Sequence, residues 1–195
     1  MAVRLKIVSD LLINESSNHS DDKIVMNRVW AMPNKNTFEI KPIAELLNRY
    51  IKGKDQVVVD AFARDSTYGT ITNDINPSTK AQYHMDAVDF LTQLVNNNVK
   101  AKIILCDPPY SPRQITECYK TIGRIVTTSD TQNAKLYSQC KELYAKILEK
   151  GGIAISFGWN SGGLGKKNGC RIIEILLVAH GSAHNDTIVT VEIKD

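Results

Sequence analysis

The chain has 195 residues, of which 43% are hydrophobic and 23% charged, and its formal net charge is +3 at pH 7. These values suit one globular domain with a sizeable core, and the mild basicity permits a nucleic-acid partner without requiring one. The four cysteines form no Cys-x-x-Cys pair, and neither a secretory signal nor an apolar run of transmembrane length is present; we therefore expect no zinc ribbon, no membrane partner and a reducing, cytoplasmic location.

The first part of the chain carries the weakest pattern. Residues 3–13 fit either a strand or a short helix, residues 14–22 a polar loop, and residues 24–30 an edge strand. A helix then opens with Pro42, which suits a first helical turn, and ends at Gly53.

Short apolar runs alternate with helical patterns through the central part. Buried strands are predicted at 57–59, 70–72, 102–106 and 153–157. Helices are predicted at 88–95, 114–125 and 134–149. A weaker extended stretch precedes Asp86, and Gly151-Gly152 should end the last of these helices.

Two more strands, at 172–179 and 187–193, are separated by a short polar turn and predict a C-terminal hairpin. Between the strand at 153–157 and this hairpin lies a loop rich in glycine and lysine, residues 160–170. The alternation of strands and helices predicts an α/β fold with a mostly parallel sheet and helices on both faces, and the hairpin predicts one antiparallel edge strand.

Aspartates follow the predicted strands. Asp60, Asp74, Asp86 and Asp107 come in chain order after the first strand, the second strand, the weak extended stretch and the next strand. Any one of them could be an ordinary turn or cap residue. Ligands of open α/β sheets bind at the carboxyl ends of the strands, and a carboxylate after the second strand is suited to ribose hydroxyls. Four together predict one acidic rim.

The most specific stretch is Asp107-Pro108-Pro109-Tyr110. Each proline lacks an N–H and holds the preceding residue extended, so the strand must stop there. The Asp107 carboxylate and the Pro108 carbonyl then leave the sheet on a stiff track, with an aromatic ring beside them.

With this stretch, residues 30–195 resemble the S-adenosylmethionine-dependent methyltransferases of exocyclic amino groups, chiefly the N6-adenine DNA methyltransferases. Asp-Pro-Pro-Tyr matches the catalytic motif of that family. Further similarity lies in residues 38–42, 60–62, 73–76 and 84–87. The resemblance implies a Rossmann-like class I methyltransferase fold with seven strands.

The resemblance also implies a cofactor and site residues. The cofactor is S-adenosyl-L-methionine, and the catalytic residues are Asp107, Pro108, Pro109 and Tyr110. The implied cofactor-binding residues are Phe38, Lys41, Asp60, Ala61, Phe62, Asp74, Ile75, Asp86, Ala87 and Asp107. No metal is implied.

The chain departs from the family in its first loop, which usually reads D-x-F-x-G-x-G. The two glycine positions are occupied by Arg64 and Ser66, and Gly69 comes later. Glycine lets the backbone approach a ligand closely, so this departure bears on how the loop would hold the cofactor.

The expected chemistry is methyl transfer to an amine whose lone pair is delocalised into a base. Two acceptors aimed at its N–H bonds stabilise the charge that develops, and Asp107 and the Pro108 carbonyl can supply them. The ring of Tyr110 can stack on the base. If the substrate is duplex, the base must first be flipped out of the double helix. Phosphate contacts are predicted at Arg113, Lys166, Lys167 and Arg171.

The motif order resembles the γ-type arrangement. We expect a single methyltransferase domain over 1–195, with a variable segment at 1–30, a cofactor-closing segment at 31–53 and a catalytic core at 54–195. No separate target-recognition domain is expected, so loops, a homodimer or a partner subunit would supply recognition of DNA.

Three alternatives stay open. The same motif serves the adenine of RNA or the amide of a protein glutamine. A non-catalytic cofactor-binding subunit is possible because of the altered glycine loop, and another cofactor reaction is possible because fold does not fix function. The resemblance places the protein in the cytoplasm of a bacterial cell or a phage-infected host.

Overall fold

A computed structural model of the chain describes residues 23–53, 55–125, 133–181 and 184–195. The predictions for residues 3–13 and 14–22 lie outside the described residues. The described strands are β1 (Val25–Trp30), β2 (Val58–Asp60), β3 (Ile71–Thr72), β4 (Ala101–Cys106), β5 (Leu148–Gly158), β6 (Cys170–Ala179) and β7 (Thr187–Lys194). The described helices are α1 (Lys41–Tyr50), α2 (Ala87–Asn96), α3 (Pro112–Thr121) and α4 (Asn133–Ile147), with 3-10 turns at Thr37–Glu39 and Lys166–Asn168.

The seven described strands form one sheet in the order β1-β6-β7-β5-β4-β2-β3. Every pair is parallel except the two that β7 makes, with β5 and with β6. The predicted seven-stranded, mostly parallel sheet with a C-terminal antiparallel hairpin is confirmed.

The predicted position of the antiparallel strand is wrong, because β7 lies inside the sheet and not at its edge. Strand β6 runs parallel to β5 but is not its neighbour. On its return β7 lies between them, antiparallel to both. It pairs on both sides and buries Val189 and Val191 completely. The edge strands are β1, as predicted for residues 24–30, and β3.

Helices cover both faces, as predicted. On one face Ile43, Leu46 and Leu47 of α1 pack on apolar residues of β2, β4, β5, β6 and β7. On the other face α2 and α4 pack together over the sheet, with Phe90 and Tyr144 fully or almost fully buried. No helix in the described part of the chain is long and apolar enough to cross a bilayer.

Two helix ends differ from the predicted ones. The helix α4 ends at Ile147, and β5 begins at the next residue and contains Gly151-Gly152. Ala101 pairs with Leu148 but Ile103 with Ile153, so the residues between bulge, and Gly151 takes a φ of +70° there. The helix α3 ends at Thr121, shortly before Gly123, whose φ is also +70°.

The weak extended stretch before Asp86 makes one isolated parallel bridge, between Asn73 and Tyr83. Asp86 itself is the N-cap of α2, since its Oδ1 accepts a hydrogen bond of 2.9 Å from the backbone N–H of Val88.

Tyr144 joins α4 to the sheet through its hydroxyl, which accepts from the N–H of Ala61 (3.3 Å) and donates to the carbonyl of Leu105 (3.2 Å). We expect Tyr144→Phe to lower the free energy of unfolding by about 1–3 kcal/mol, because it leaves a buried N–H unpaired. Urea unfolding measures the change. Tyr83→Phe, on a ring that is 40% exposed, is the matched control, and equal stability of the two variants would contradict this role.

Candidate active site

The site lies where the order of the strands reverses, since the chain passes from β2 to β3 on one side and then to β4 on the other. The strand β2 pairs with β3 on one side and β4 on the other, and the register sets Asp60 opposite both Thr72 and Leu105. The carboxyl ends of the three strands are therefore level. A cavity of about 400 Å³ opens there, at the position where α/β sheets bind ligands.

Most of the predicted site residues line this cavity. They are Ala61, Phe62, Asp74, Ile75, Asp86, Ala87, Asp107, Pro108, Pro109 and Tyr110. Three predicted cofactor residues, Phe38, Lys41 and Asp60, are not part of the lining.

Asp107 is half-buried at the end of β4. Its Oδ1 accepts a short hydrogen bond from the hydroxyl of Tyr110, and its carboxylate also takes one from the side chain of Thr37. Removal from water raises the pKa of Asp107 to about 7, and the Thr37 hydrogen bond and the charge of Arg64 only partly oppose this rise. The group therefore exchanges its proton near neutral pH.

The two prolines are held from outside the strand. The hydroxyl of Tyr137, on α4, donates to the carbonyl of Pro109 (2.7 Å), and Gln114, on α3, accepts from the N–H of Tyr110 (2.6 Å). The ring of Tyr110 lies 5.8 Å from that of Trp159, tilted by 56°. Side chains of α3 and α4 thus fix the backbone that follows Asp107.

Asp60 lies beneath the cavity and not on its rim. It is fully buried; its Oδ1 accepts from the N–H of Phe62 (3.0 Å), and its Oδ2 has no hydrogen-bond partner among the described residues. Burial raises its pKa to about 8, the charges of Asp107 and Asp74 add to the rise, and the Phe62 hydrogen bond opposes it. At pH 7 the folded protein holds this carboxyl mainly neutral.

Asp74 and Asp86 are on the rim, as predicted. The Asp74 oxygens accept from the N–H groups of Arg64 (3.0 Å) and Asn76 (2.9 Å), and Asp86 caps α2 through its Oδ1. A carboxylate oxygen has two lone pairs, so both side chains retain acceptor capacity for a ligand.

Asn73 is a site residue whose role the sequence did not reveal. It is fully buried, and its Nδ2 donates to the carbonyls of Ala61 and Met85 (both 3.1 Å), while its Oδ1 accepts from the N–H of Met85 (3.0 Å). One side chain thus joins the loops that follow β2 and β3 to the segment before α2. It stands next to Asp74, but nothing in a single sequence shows that it is buried.

The sequence predicts the helix α3 but not its place in the cavity lining. Gln114, Ile115, Cys118 and Tyr119 line the cavity. Their spacing of three to four residues is that of one helix face, and this pattern could have identified them.

Arg64 occupies the first glycine position with a φ of +50°. This left-handed conformation costs a non-glycine residue about 1–2 kcal/mol. Both Arg64 and Lys35 line the cavity, and Nη1 of Arg64 donates to the carbonyl of Lys35 (2.6 Å). Ser66, at the second glycine position, does not have a positive φ, so that position needs no glycine for its backbone conformation.

The segment before α1 contributes residues other than the predicted ones. Phe38 is buried against Phe157, with ring centroids 4.8 Å apart, and Lys41 is exposed at the start of α1. Lys35 and Thr37 line the cavity instead.

The predicted phosphate-binding residues are separated. Arg113 is on α3, beside the cavity, in an exposed ion pair with Glu117 (2.8 Å). Lys166, Lys167 and Arg171 lie at the amino end of β6, the edge opposite Asp107. The reason is topological: β6 runs parallel to β5, so the loop between them must return to the amino edge before β6 begins.

No protein-family model matches the chain, and no curated protein matches it. Solved structures do. SMU.776 in complex with SAH has a TM-score of 0.53 at 12% identity, over 76% of this chain and 48% of that one. TrmN from Thermus thermophilus has a TM-score of 0.50 at 16% identity, over 80% and 49%. The N-methyltransferase NodS from Bradyrhizobium japonicum WM9 has a TM-score of 0.51 at 10% identity, over 83% and 99%.

These similarities define the fold, which is that of the Rossmann-like class I methyltransferases. The chain spans about half the length of SMU.776 and TrmN and nearly all of NodS.

The raised pKa of Asp60 predicts a pH-dependent stability. The folded group titrates at about 8 and the unfolded group near its ordinary 3.8, so its contribution to stability is present below pH 4 and is lost as the pH rises to about 8. In Asp60→Asn this loss is absent. We expect the stability of the variant relative to wild type to grow by up to about 1.4 kcal/mol per pH unit across that window.

Urea unfolding as a function of pH measures this difference. Asp65→Asn, on an exposed carboxylate of the same loop, controls for the change in net charge. A pH-independent difference for Asp60→Asn would show that the folded carboxyl is ionised.

Proposed function

We propose that the protein transfers a methyl group from S-adenosyl-L-methionine to the exocyclic amino group of adenine in DNA. The observation that carries this proposal is the position of Asp107-Pro108-Pro109-Tyr110. These residues line the same cavity as Asp74 and Asp86.

The residues of the cavity fit the cofactor. A volume of about 400 Å³ suits a ligand of this size. In this proposal Asp74, after β3, accepts hydrogen bonds from ribose hydroxyls, and Asp86 accepts one from the amino group of the adenine ring. The presence of SAH in SMU.776 and the N-methyltransferase name of NodS support a cofactor of this kind on this fold.

The bound cofactor supplies an electrophilic methyl group on its sulfonium. The protein aligns the amine with this methyl group. The Asp107 carboxylate and the Pro108 carbonyl accept hydrogen bonds from the two N–H groups of the amine. Pro109 prevents that carbonyl from turning into α3. With a pKa of about 7, Asp107 can also take up the proton that the amine loses.

Tyr110 has two arrangements in this scheme. Its hydroxyl now donates to Asp107, and the substrate amine would take over that acceptor. The freed ring can then lie against the base, beside Trp159, whose side chain is partly exposed. The base reaches this depth only when it is flipped out of a duplex.

Recognition of the target sequence belongs, in this proposal, to surfaces next to the cavity. In this proposal Arg113 of α3 meets a phosphate, and a second copy or a partner subunit adds further contacts.

Removal of the acceptor tests the proposal. We expect Asp107→Ala to lower methyl transfer to a DNA substrate at least about 100-fold, while the affinity for S-adenosylhomocysteine, measured by calorimetry, stays within about twofold. Asp89→Ala, an exposed position on α2, is the control. Transfer by Asp107→Ala at the wild-type rate would refute the mechanism.

The class of substrate is identified by incubating the protein with labelled cofactor and DNA, RNA or a glutamine-containing peptide pool. Mass spectrometry of nucleosides and peptides should find N6-methyladenine in DNA. Methylation of RNA or glutamine alone would show a different substrate on the same site.

The pH dependence provides an independent test. Protonation of Asp107 weakens it as an acceptor for the amine N–H and stops it taking up the amine proton, so kcat/KM should fall about tenfold per pH unit below about 7. Asp107→Asn keeps an oxygen acceptor that does not titrate, and its residual activity should be flat there. A pH profile with the same acid limb in the variant would assign that limb to another group.

A further inference from the structure

Arg64 combines an unfavourable backbone conformation with a position on the cavity wall. Its φ of +50° lies in the region that glycine favours. Non-glycine residues kept in that region concentrate at functional sites, because the surrounding structure must hold them there. Two hydrogen bonds do so, one from the Arg64 N–H to Asp74 (3.0 Å) and one from Nη1 to the Lys35 carbonyl (2.6 Å).

The side chain places positive charge where the cavity is otherwise acidic. The acids of the lining are Asp74, Asp86, Asp107 and Glu117, and the described cations of the lining are Lys35 and Arg64. The guanidinium is near enough to Asp107 to lower the pKa of that carboxyl. One hydrogen bond to Lys35 uses one of its five N–H groups, so donors remain for a ligand.

The charges of the cofactor match this distribution. S-adenosylmethionine carries a sulfonium and an ammonium, which the acids favour, and one carboxylate, which they repel. A planar guanidinium binds a carboxylate through two parallel hydrogen bonds. Lys41, which the resemblance implied as a cofactor-binding residue, lies outside the cavity lining.

We propose that Arg64, supported by Lys35, binds the carboxylate of the methionine moiety of the cofactor. The proposal rests on the proposed function above. It accounts for an arginine at a strained position in the cavity lining.

The test compares two ligands that differ in the amino-acid part. S-adenosylhomocysteine has the carboxylate, and 5′-methylthioadenosine keeps the nucleoside and the sulfur but lacks the amino-acid moiety. Calorimetry on the full chain should show that Arg64→Gln weakens S-adenosylhomocysteine at least about tenfold and leaves 5′-methylthioadenosine unchanged. Gln keeps a side chain at the same φ, so the backbone cost is matched, and Arg64→Lys should recover part of the affinity.

Arg28→Gln is the control, since Arg28 is exposed on β1, at the other end of the sheet order from β3. Equal weakening of both ligands in Arg64→Gln would mean a disturbed loop and would overturn the proposal. Unchanged affinity for both, with a raised KM for DNA, would assign Arg64 to a substrate phosphate instead. If the wild-type protein binds neither ligand, the proposed function itself fails and this inference fails with it.

Discussion

The site depends on the pairing of β2 with a parallel strand on each side. Because β2, β3 and β4 run in one direction and their register is aligned, their carboxyl ends stop at one level. The loops that follow then converge around one cavity, although Asp74 and Asp107 are 33 residues apart in the chain. The prolines after β4 keep this edge open, since neither can extend the strand or donate to a neighbour.

Several carboxyl groups at one edge repel one another when they are ionised, and their environments differ. Asp60 is withdrawn from water and held mainly neutral, while Asp107 is left with a pKa of about 7. Neutral hydrogen-bonding side chains then join the loops without adding charge. Asn73 connects three of them, and Tyr137 and Tyr144 tie α4 to the segments after β4 and β2. The acceptor side of the cavity is therefore rigid.

Much of the site was predictable because strand ends are marked locally. An apolar run followed by an acid or by prolines predicts where a strand stops, and parallel strands bring such stops together; Asp74, Asp86 and Asp107 meet as predicted. Depth in the fold carries no such mark, so the sequence predicts Asp60 on the rim and does not show that Asn73 is buried. The altered glycine loop shows the same limit. Arg64 has a positive φ and Ser66 does not, and residue type alone does not reveal this difference.

The sequence by itself determined the strands and helices, the α/β class and the Asp-Pro-Pro-Tyr stretch, because periodicity, prolines and turn residues act over a few positions. Tertiary structure decided what depends on pairing between distant segments. It inserted β7 between β5 and β6, and it placed Lys166, Lys167 and Arg171 at the edge opposite Asp107. It also set the charge balance of the cavity, because burial and neighbouring charges fix a pKa only after the loops have come together.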